Sequence, residues 1–157
     1  MSVAFRRESD EEHLEPRPDL PIPPGPNLVT PRGLTLIETR AAEFEAALEK
    51  ALEEKAGDDA VKAIRRDLRY WHARRATAQL APAADGEDVA FGTRVTYRRG
   101  KADHSITLVG DDEADPAAGL IAFTAPLARA LMGAVEGDKV AFGADTLTVR
   151  KIEPIKR

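Results

Sequence analysis

The sequence contains no cysteine. That excludes a disulfide framework and any thiolate metal site, and it agrees with a reducing cytoplasm. Histidine is scarce: His13, His72 and His104 are scattered, and no two stand at the spacing that would put a pair of metal ligands on one helical face. No apolar run approaches the ~20 residues that span a bilayer. Arg6 and Arg7 are followed by acidic residues rather than an apolar core, which is not the pattern of a secretory signal. These absences lead us to expect a soluble, cytoplasmic protein with no membrane contact.

The chain has 157 residues, enough for one ordinary domain or two small ones. Its hydrophobic fraction of 43% can supply a core, while the charged fraction of 32% is high enough to suggest long solvated helices. The net charge is −4, and its distribution is uneven. Residues 1–30 carry three Lys/Arg against six Asp/Glu, residues 31–80 ten against nine, and residues 81–157 ten against twelve. An acidic chain is a poor candidate for nonspecific duplex binding, where phosphate neutralisation dominates affinity. The local exception is the run Lys62, Arg65, Arg66, Arg69, Arg74 and Arg75. It has two readings: a stripe that lies along nascent RNA or acidic protein, or a solvated face paired with the Glu-rich stretch before it.

Residues 1–29 hold Pro16, Pro18, Pro21, Pro23, Pro24 and Pro26, so this segment reads as a proline-rich, flexible, extended N-terminal tail. Its opening, SVAFRRESDEE, reads as a disordered end or a short binding arm. Thr30-Pro31 then marks a helix start, a hydroxyl cap followed by proline at the first helical position. Leu34, Ile37, Ala41, Phe44, Leu48 and Ala51 recur at alternating steps of three and four, and Val61, Ile64, Leu68, Trp71, Arg75 and Ala78 resume the seam. Gly57-Asp58-Asp59 breaks the run, with glycine suited to the left-handed helix end and aspartate to turns and caps. Two such helices fold back to bury their seams, so residues 30–80 are expected to form an antiparallel coiled-coil hairpin. Each arm of about 22–24 residues would reach roughly 33–36 Å at ~1.5 Å per residue.

Residues 81–88 read as a linker. Strand-like runs follow at Val89–Phe91, Arg94–Arg98, Ser105–Val109, Leu120–Phe123, Lys139–Phe142 and Thr146–Ile152. Val95, Tyr97, Ile106 and Leu108 alternate with polar residues, as a half-buried sheet requires. Pro126–Met132 reads as a short helix packed on that sheet through Leu127, Ala130 and Leu131. The expected fold class is α+β: an N-terminal hairpin, then over residues 89–157 a small antiparallel sheet with one helix. Between the third and fourth runs lies an acidic loop with Asp111, Asp112, Glu113 and Asp115. The region has no nucleophile–base pair, no metal-ligand cluster and no phosphate-cradling glycine loop. An acidic loop beside an apolar helix looks built to dock on a protein.

The loop GDDEAD, the strand after it, and APLARALMG followed by EGD and a terminal strand resemble the C-terminal domain of the GreA/GreB transcription factors in order and spacing. The likeness covers roughly residues 30–157. It implies an FKBP-like C-terminal domain and a cytoplasmic, monomeric, non-enzymatic elongation factor that binds RNA polymerase at the rim of its secondary channel. On the matching positions, Asp111, Asp112, Glu113, Asp115, Thr124, Pro126, Leu127 and Arg129 would form the polymerase-binding surface. Asp111, Asp112, Glu113 and Asp115 would meet basic residues of the rim, while Leu127 also packs the sheet. An FKBP-like fold does not by itself imply prolyl isomerase activity, and the domain's only aromatics are Phe91, Tyr97, Phe123 and Phe142.

The resemblance also implies that the hairpin enters the channel and presents tip carboxylates to the polymerase's magnesium, with no cofactor of its own. Asp58 and Asp59 are the candidates for that shared ion; turn chemistry and capping of the second helix are the other reading of the same residues. The tip motif of cleavage-competent members runs Gly-Asp, two residues, Glu, Asn. Gly57 and Asp58 match it, whereas Val61 and Lys62 stand in place of the glutamate and asparagine. The hairpin is also shorter than in GreA by about six residues per arm, roughly 9 Å of reach. Two functions therefore stay open: stimulation of transcript cleavage, or occupation of the channel without it, as in the similar regulator of nucleoside diphosphate kinase.

Overall fold

The computed structural model describes residues 18–156. They divide into two units, one holding residues up to Ile22 together with Glu38–Ala76, the other Pro23–Ile37 with Thr77 onward. The SVAFRRESDEE segment and the first part of the expected tail lie outside the described residues.

The first unit is built on two helices, α1 (Pro31–Glu53) and α2 (Asp58–Thr77), the first turns of α1 belonging to the second unit. Ala41 and Leu68 are buried, and Phe44, Leu48, Ala51, Val61, Ile64 and Trp71 are half-buried, so the alternating seam of the sequence is the packed stripe. Arg75 corrects that seam: it is exposed, and Arg74 is buried in its place. A step of three from Trp71, rather than four, keeps the stripe in phase here. Glu45 of α1 bridges to α2, with His72 Nε2 at 2.8 Å and Arg75 at 3.3 Å. The hydrogen bond from His72 is the main reason the Glu45 carboxyl sits below its ordinary pKa, with Arg75 adding to it. This contribution is present above the ordinary carboxylate range and fades as pH falls through it. Part of the proline-rich stretch also lies along α2: Asp19 accepts two hydrogen bonds from Arg69, at 2.9 and 2.7 Å.

The turn between the helices differs from the sequence expectation. Lys55, not Gly57, takes the left-handed conformation, with φ of 55°. The Ala56 amide reaches the Ala51 carbonyl at 2.9 Å and the Lys55 amide reaches that of Leu52 at 3.3 Å, a paired set of reverse bonds that closes the end of α1. Gly57 instead caps α2, its carbonyl accepting from Val61 at 3.1 Å. Asp58 and Asp59 therefore occupy the first helical turn and do not cap it. Their negative charge suits the positive end of the helix dipole.

In the second unit, β1 (Leu28–Val29) pairs in parallel with β2 (Gln79–Leu80). Leu28 and Val29 thus leave the expected tail, and Gln79 and Leu80 leave the expected hairpin. The main sheet has five strands: β3 (Thr93–Arg99), β4 (Ala102–Val109), β5 (Leu120–Ala122), β6 (Lys139–Phe142) and β7 (Asp145–Pro154), in the order β5-β4-β3-β7-β6. It is antiparallel except at one edge, where β4 and β5 run parallel. The expected antiparallel sheet thus carries one parallel pair at its edge. The expected strand at Val89–Phe91 is absent. Val89 is nonetheless buried, because its amide and carbonyl bond to the Ala134 carbonyl and the Gly133 amide, both at 2.8 Å, closing a loop rather than a ladder.

One face of the sheet carries the core. Val95, Tyr97, Ile106, Leu108, Leu147, Val149 and Ile152 line it, and α3 (Pro126–Leu131) covers it with Ala128 and Leu131. The step from Val149 to Ile152 breaks strict alternation. A register shift opposite Thr96/Tyr97 absorbs the extra residue and leaves both Arg150 and Lys151 exposed.

Lys55 supplies a test of the turn. A side chain in the left-handed region costs about 1 kcal/mol or more, and glycine removes that strain. Lys55→Gly is expected to stabilise the protein by roughly 0.5–1 kcal/mol in thermal or urea unfolding. An unchanged or lowered midpoint would contradict this account of the turn.

Candidate functional site

The acidic loop connects β4 to β5 through two short 3-10 turns, Asp111–Glu113 and Pro116–Ala118. Gly110 opens it from a buried position. A Cβ there would collide with the backbone carbonyl oxygen of Leu28, so β1 and the loop entrance touch backbone to backbone. The loop ends where Asp115 and Leu120 exchange backbone hydrogen bonds of 2.8 and 3.0 Å. The chain then passes through β5 and Thr124 into α3, whose first residue is Pro126.

Two predicted site residues come together here. Thr124 Oγ1 donates to Asp111 Oδ1 at 2.6 Å, fixing the first acid of the loop to the segment that starts α3. Asp112 lies beside it, half-buried, and Asp115 is exposed. Pro126 and Arg129 are exposed on α3, and Leu127 is half-buried against the core, as its double reading allowed.

Glu113 is the exception, and it corrects the sequence reading. Its side chain is 5% exposed, too little for a rim contact. Oε1 accepts from Thr30 Oγ1 at 2.5 Å, and Oε2 accepts from Arg32 at 3.0 Å. Thr30 is also the cap of α1, its hydroxyl accepting from the Gly33 amide at 3.0 Å. The hydroxyl therefore serves as donor and acceptor at once. Gly33 keeps the space open: a Cβ there would stand 2.8 Å from Glu113 Oε1. A buried carboxylate is costly unless paired and hydrogen-bonded, and both oxygens here have partners. Sequence reasoning found the Thr30-Pro31 cap but not its link to Glu113, which lies 83 positions away.

The other candidates stand apart from this loop in the chain. Asp58 and Asp59 are exposed on the first turn of α2. Consecutive helical residues point about 100° apart, so one ion would engage chiefly one of these carboxylates. Magnesium is commonly held by one or two carboxylates together with phosphate oxygens and waters, so the pair could supply only part of a shell. Among the described residues, no group of three or more His, Asp or Glu could hold a metal ion alone. The basic run Lys62–Arg75 is not one face. Lys62, Arg65 and Arg69 are exposed, but Arg69 pairs with Asp19, Arg75 with Glu45, and Arg74 is buried. Among the described residues, no helix is long and apolar enough to cross a membrane.

The family described as transcription elongation factor, GreA/GreB, C-term, matches residues 84–154, the span that contains the loop and α3. Transcription elongation factor GreA of Nitratidesulfovibrio vulgaris (strain DSM 19637 / Miyazaki F) is 36% identical over 109 residues, covering 64% of this chain and 68% of that protein. The chain belongs to the GreA/GreB transcription elongation factor family. GreA of Vibrio parahaemolyticus is 37% identical over 99 residues, and there the match spans 57% of this chain and 61% of the length of the relative. Among solved structures, GreA factor homolog 1 of Thermus thermophilus aligns over 82% of this chain and 99% of its own, at 17% identity and a TM-score of 0.39.

The backbone contact at Gly110 is testable without a partner. Neither main chain can yield to a new methyl group, so Gly110→Ala is expected to destabilise the protein by about 2 kcal/mol or more. Unfolding in urea measures this, and a midpoint within experimental scatter of the parent would show that β1 does not brace the loop.

Proposed function

We propose that this member of the GreA/GreB family is a non-enzymatic regulator of transcript elongation that docks on RNA polymerase at the rim of its secondary channel. Asp111, Asp112 and Asp115 would meet basic rim residues, and Thr124, Pro126, Leu127 and Arg129 would complete the surface. The observation that carries this reading is the Thr124–Asp111 hydrogen bond. It joins the acidic loop to the start of α3, within the span matched to the family's C-terminal domain. Such charges steer encounter and set specificity more than they supply raw affinity. Glu113 has no place in the contact surface of this reading.

The hairpin would enter the channel as a monomeric probe, in the cytoplasm where the polymerase works. If it supports cleavage of backtracked RNA, the chemistry belongs to the polymerase. Asp58 or Asp59 would then contribute an oxygen ligand to a shared magnesium ion, which can stabilise attacking and leaving oxygens. The second reading, channel occupation without cleavage, is favoured by one feature: Val61 and Lys62 stand where cleavage-competent members carry Glu and Asn. Contact between nascent RNA and the exposed part of the basic helix, Lys62 and Arg65, would be compatible with either.

Two measurements decide between these. Asp111→Lys combined with Asp115→Lys is expected to abolish copurification with bacterial RNA polymerase, and undiminished recovery would remove the docking surface. For the tip, backtracked elongation complexes are mixed with wild type or with an Asp58→Ala, Asp59→Ala variant, and RNA shortening is followed. The cleavage reading expects shortening beyond polymerase alone that the variant loses. No shortening with wild type leaves occupation of the channel as the function.

A further inference from the structure

We infer that Glu113 is a positioning residue: a buried latch through which the first turn of α1 sets the geometry of the acidic docking loop. The inference rests on the docking surface proposed above and assigns it a mechanism. Glu113 is the last residue of the 3-10 turn that begins with Asp111, so the two move as one short rigid piece. One end of that piece is tied to Thr124 through Asp111. The other is tied to Thr30 and Arg32 through Glu113. Gly110, before it, is pressed on the Leu28 carbonyl. Asp111 and Asp112 are therefore held between α3 and the β1–α1 junction.

The chemistry of the latch explains its residue types. A carboxylate of full length is needed to span from the loop to the helix cap, where the Asp residues beside it are one methylene shorter. Thr30 is needed as a two-way hydroxyl, donating to Glu113 and accepting from Gly33. Arg32, 67% exposed, offsets the buried charge, so Glu113 adds little to the field that a basic partner meets. Position, rather than charge, is what Glu113 contributes to docking.

Thr30 gives a test that leaves every charge in place. Thr30→Val removes the hydroxyl at nearly constant volume, and Thr30→Ser retains it. Each variant is examined in the full chain by amide hydrogen exchange over residues 110–115 and by affinity for bacterial RNA polymerase core enzyme. We expect Thr30→Val to speed exchange in the loop and to weaken polymerase binding about tenfold, with Thr30→Ser within about twofold of wild type on both readouts. Because Thr30→Val also loses the cap of α1, Arg32→Gln is run beside it; it weakens the latch without touching the cap and is expected to shift loop exchange and affinity in the same direction. Faster loop exchange with unchanged affinity in both variants overturns the inference, while the docking reading survives if Asp111→Lys still abolishes binding. Unaltered loop exchange in both variants also overturns it. If Asp111→Lys with Asp115→Lys leaves binding intact, the docking reading falls and the latch has no docking role to serve.

Discussion

A single buried carboxylate organises the second unit. Glu113 sits 83 and 81 positions from the two groups that satisfy it, Thr30 and Arg32. Without Arg32 the carboxylate would keep only the Thr30 hydroxyl, and without Thr30 only the Arg32 guanidinium, so losing either partner is destabilising. Glu113 thereby joins the start of α1 to the acidic loop, next to the backbone contact between Gly110 and Leu28. This closure explains why Pro23–Ile37 groups with the C-terminal residues and not with the rest of the helix. A charge pair of this kind adds little net stability compared with apolar packing, but it admits one arrangement only.

Much of the architecture could be read from the chain because it follows from local rules. The three-four spacing from Leu34 to Ala51 gave the packed stripe of α1, Thr30-Pro31 gave its start, and the alternation at Val95, Tyr97, Ile106 and Leu108 gave the buried face of the sheet. The misses have non-local or sub-turn causes. Arg74 and Arg75 differ by one helical step, and only packing decides which is buried. Val89 looks like a strand residue because it is buried and β-branched, yet its backbone partners come from the loop after α3. Glu113 reads beside Asp111 and Asp112 as one more acid of an exposed loop, and its inward turn depends on a helix cap met long before it in the chain. The helix end at Lys55 was misread because Gly57 is the better left-handed residue, whereas the reverse bonds to Ala51 and Leu52 fix the position instead.

Family membership and local structure lead to different levels of function. The matched span contains the loop, β5 and α3, and the chain belongs to the GreA/GreB family. The helical hairpin is where this chain departs from the motif of cleavage-competent members. Its first-turn aspartates have a sufficient structural reason in the helix dipole, so their presence does not by itself demand metal chemistry. The proposed docking and cleavage roles thus fall on residues of different units, Asp111, Asp112 and Asp115 in one and Asp58 and Asp59 in the other.

The parallel pairing of β4 with β5 has a consequence for what can vary in the loop. Thr107 faces Leu120, so the chain leaving Val109 must double back before it can run forward again. Residues 110–119 perform that return with two 3-10 turns and a left-handed Gly119. A length change that these turns did not absorb would slide β5 by one place and turn Ile121, which packs on the core, to the other side. Gly110 and the loop acids are held to their identities by the contacts described above, so freedom of side chain is left to Ala114, Pro116, Ala117 and Ala118, and any change of length has to be taken up inside the two turns.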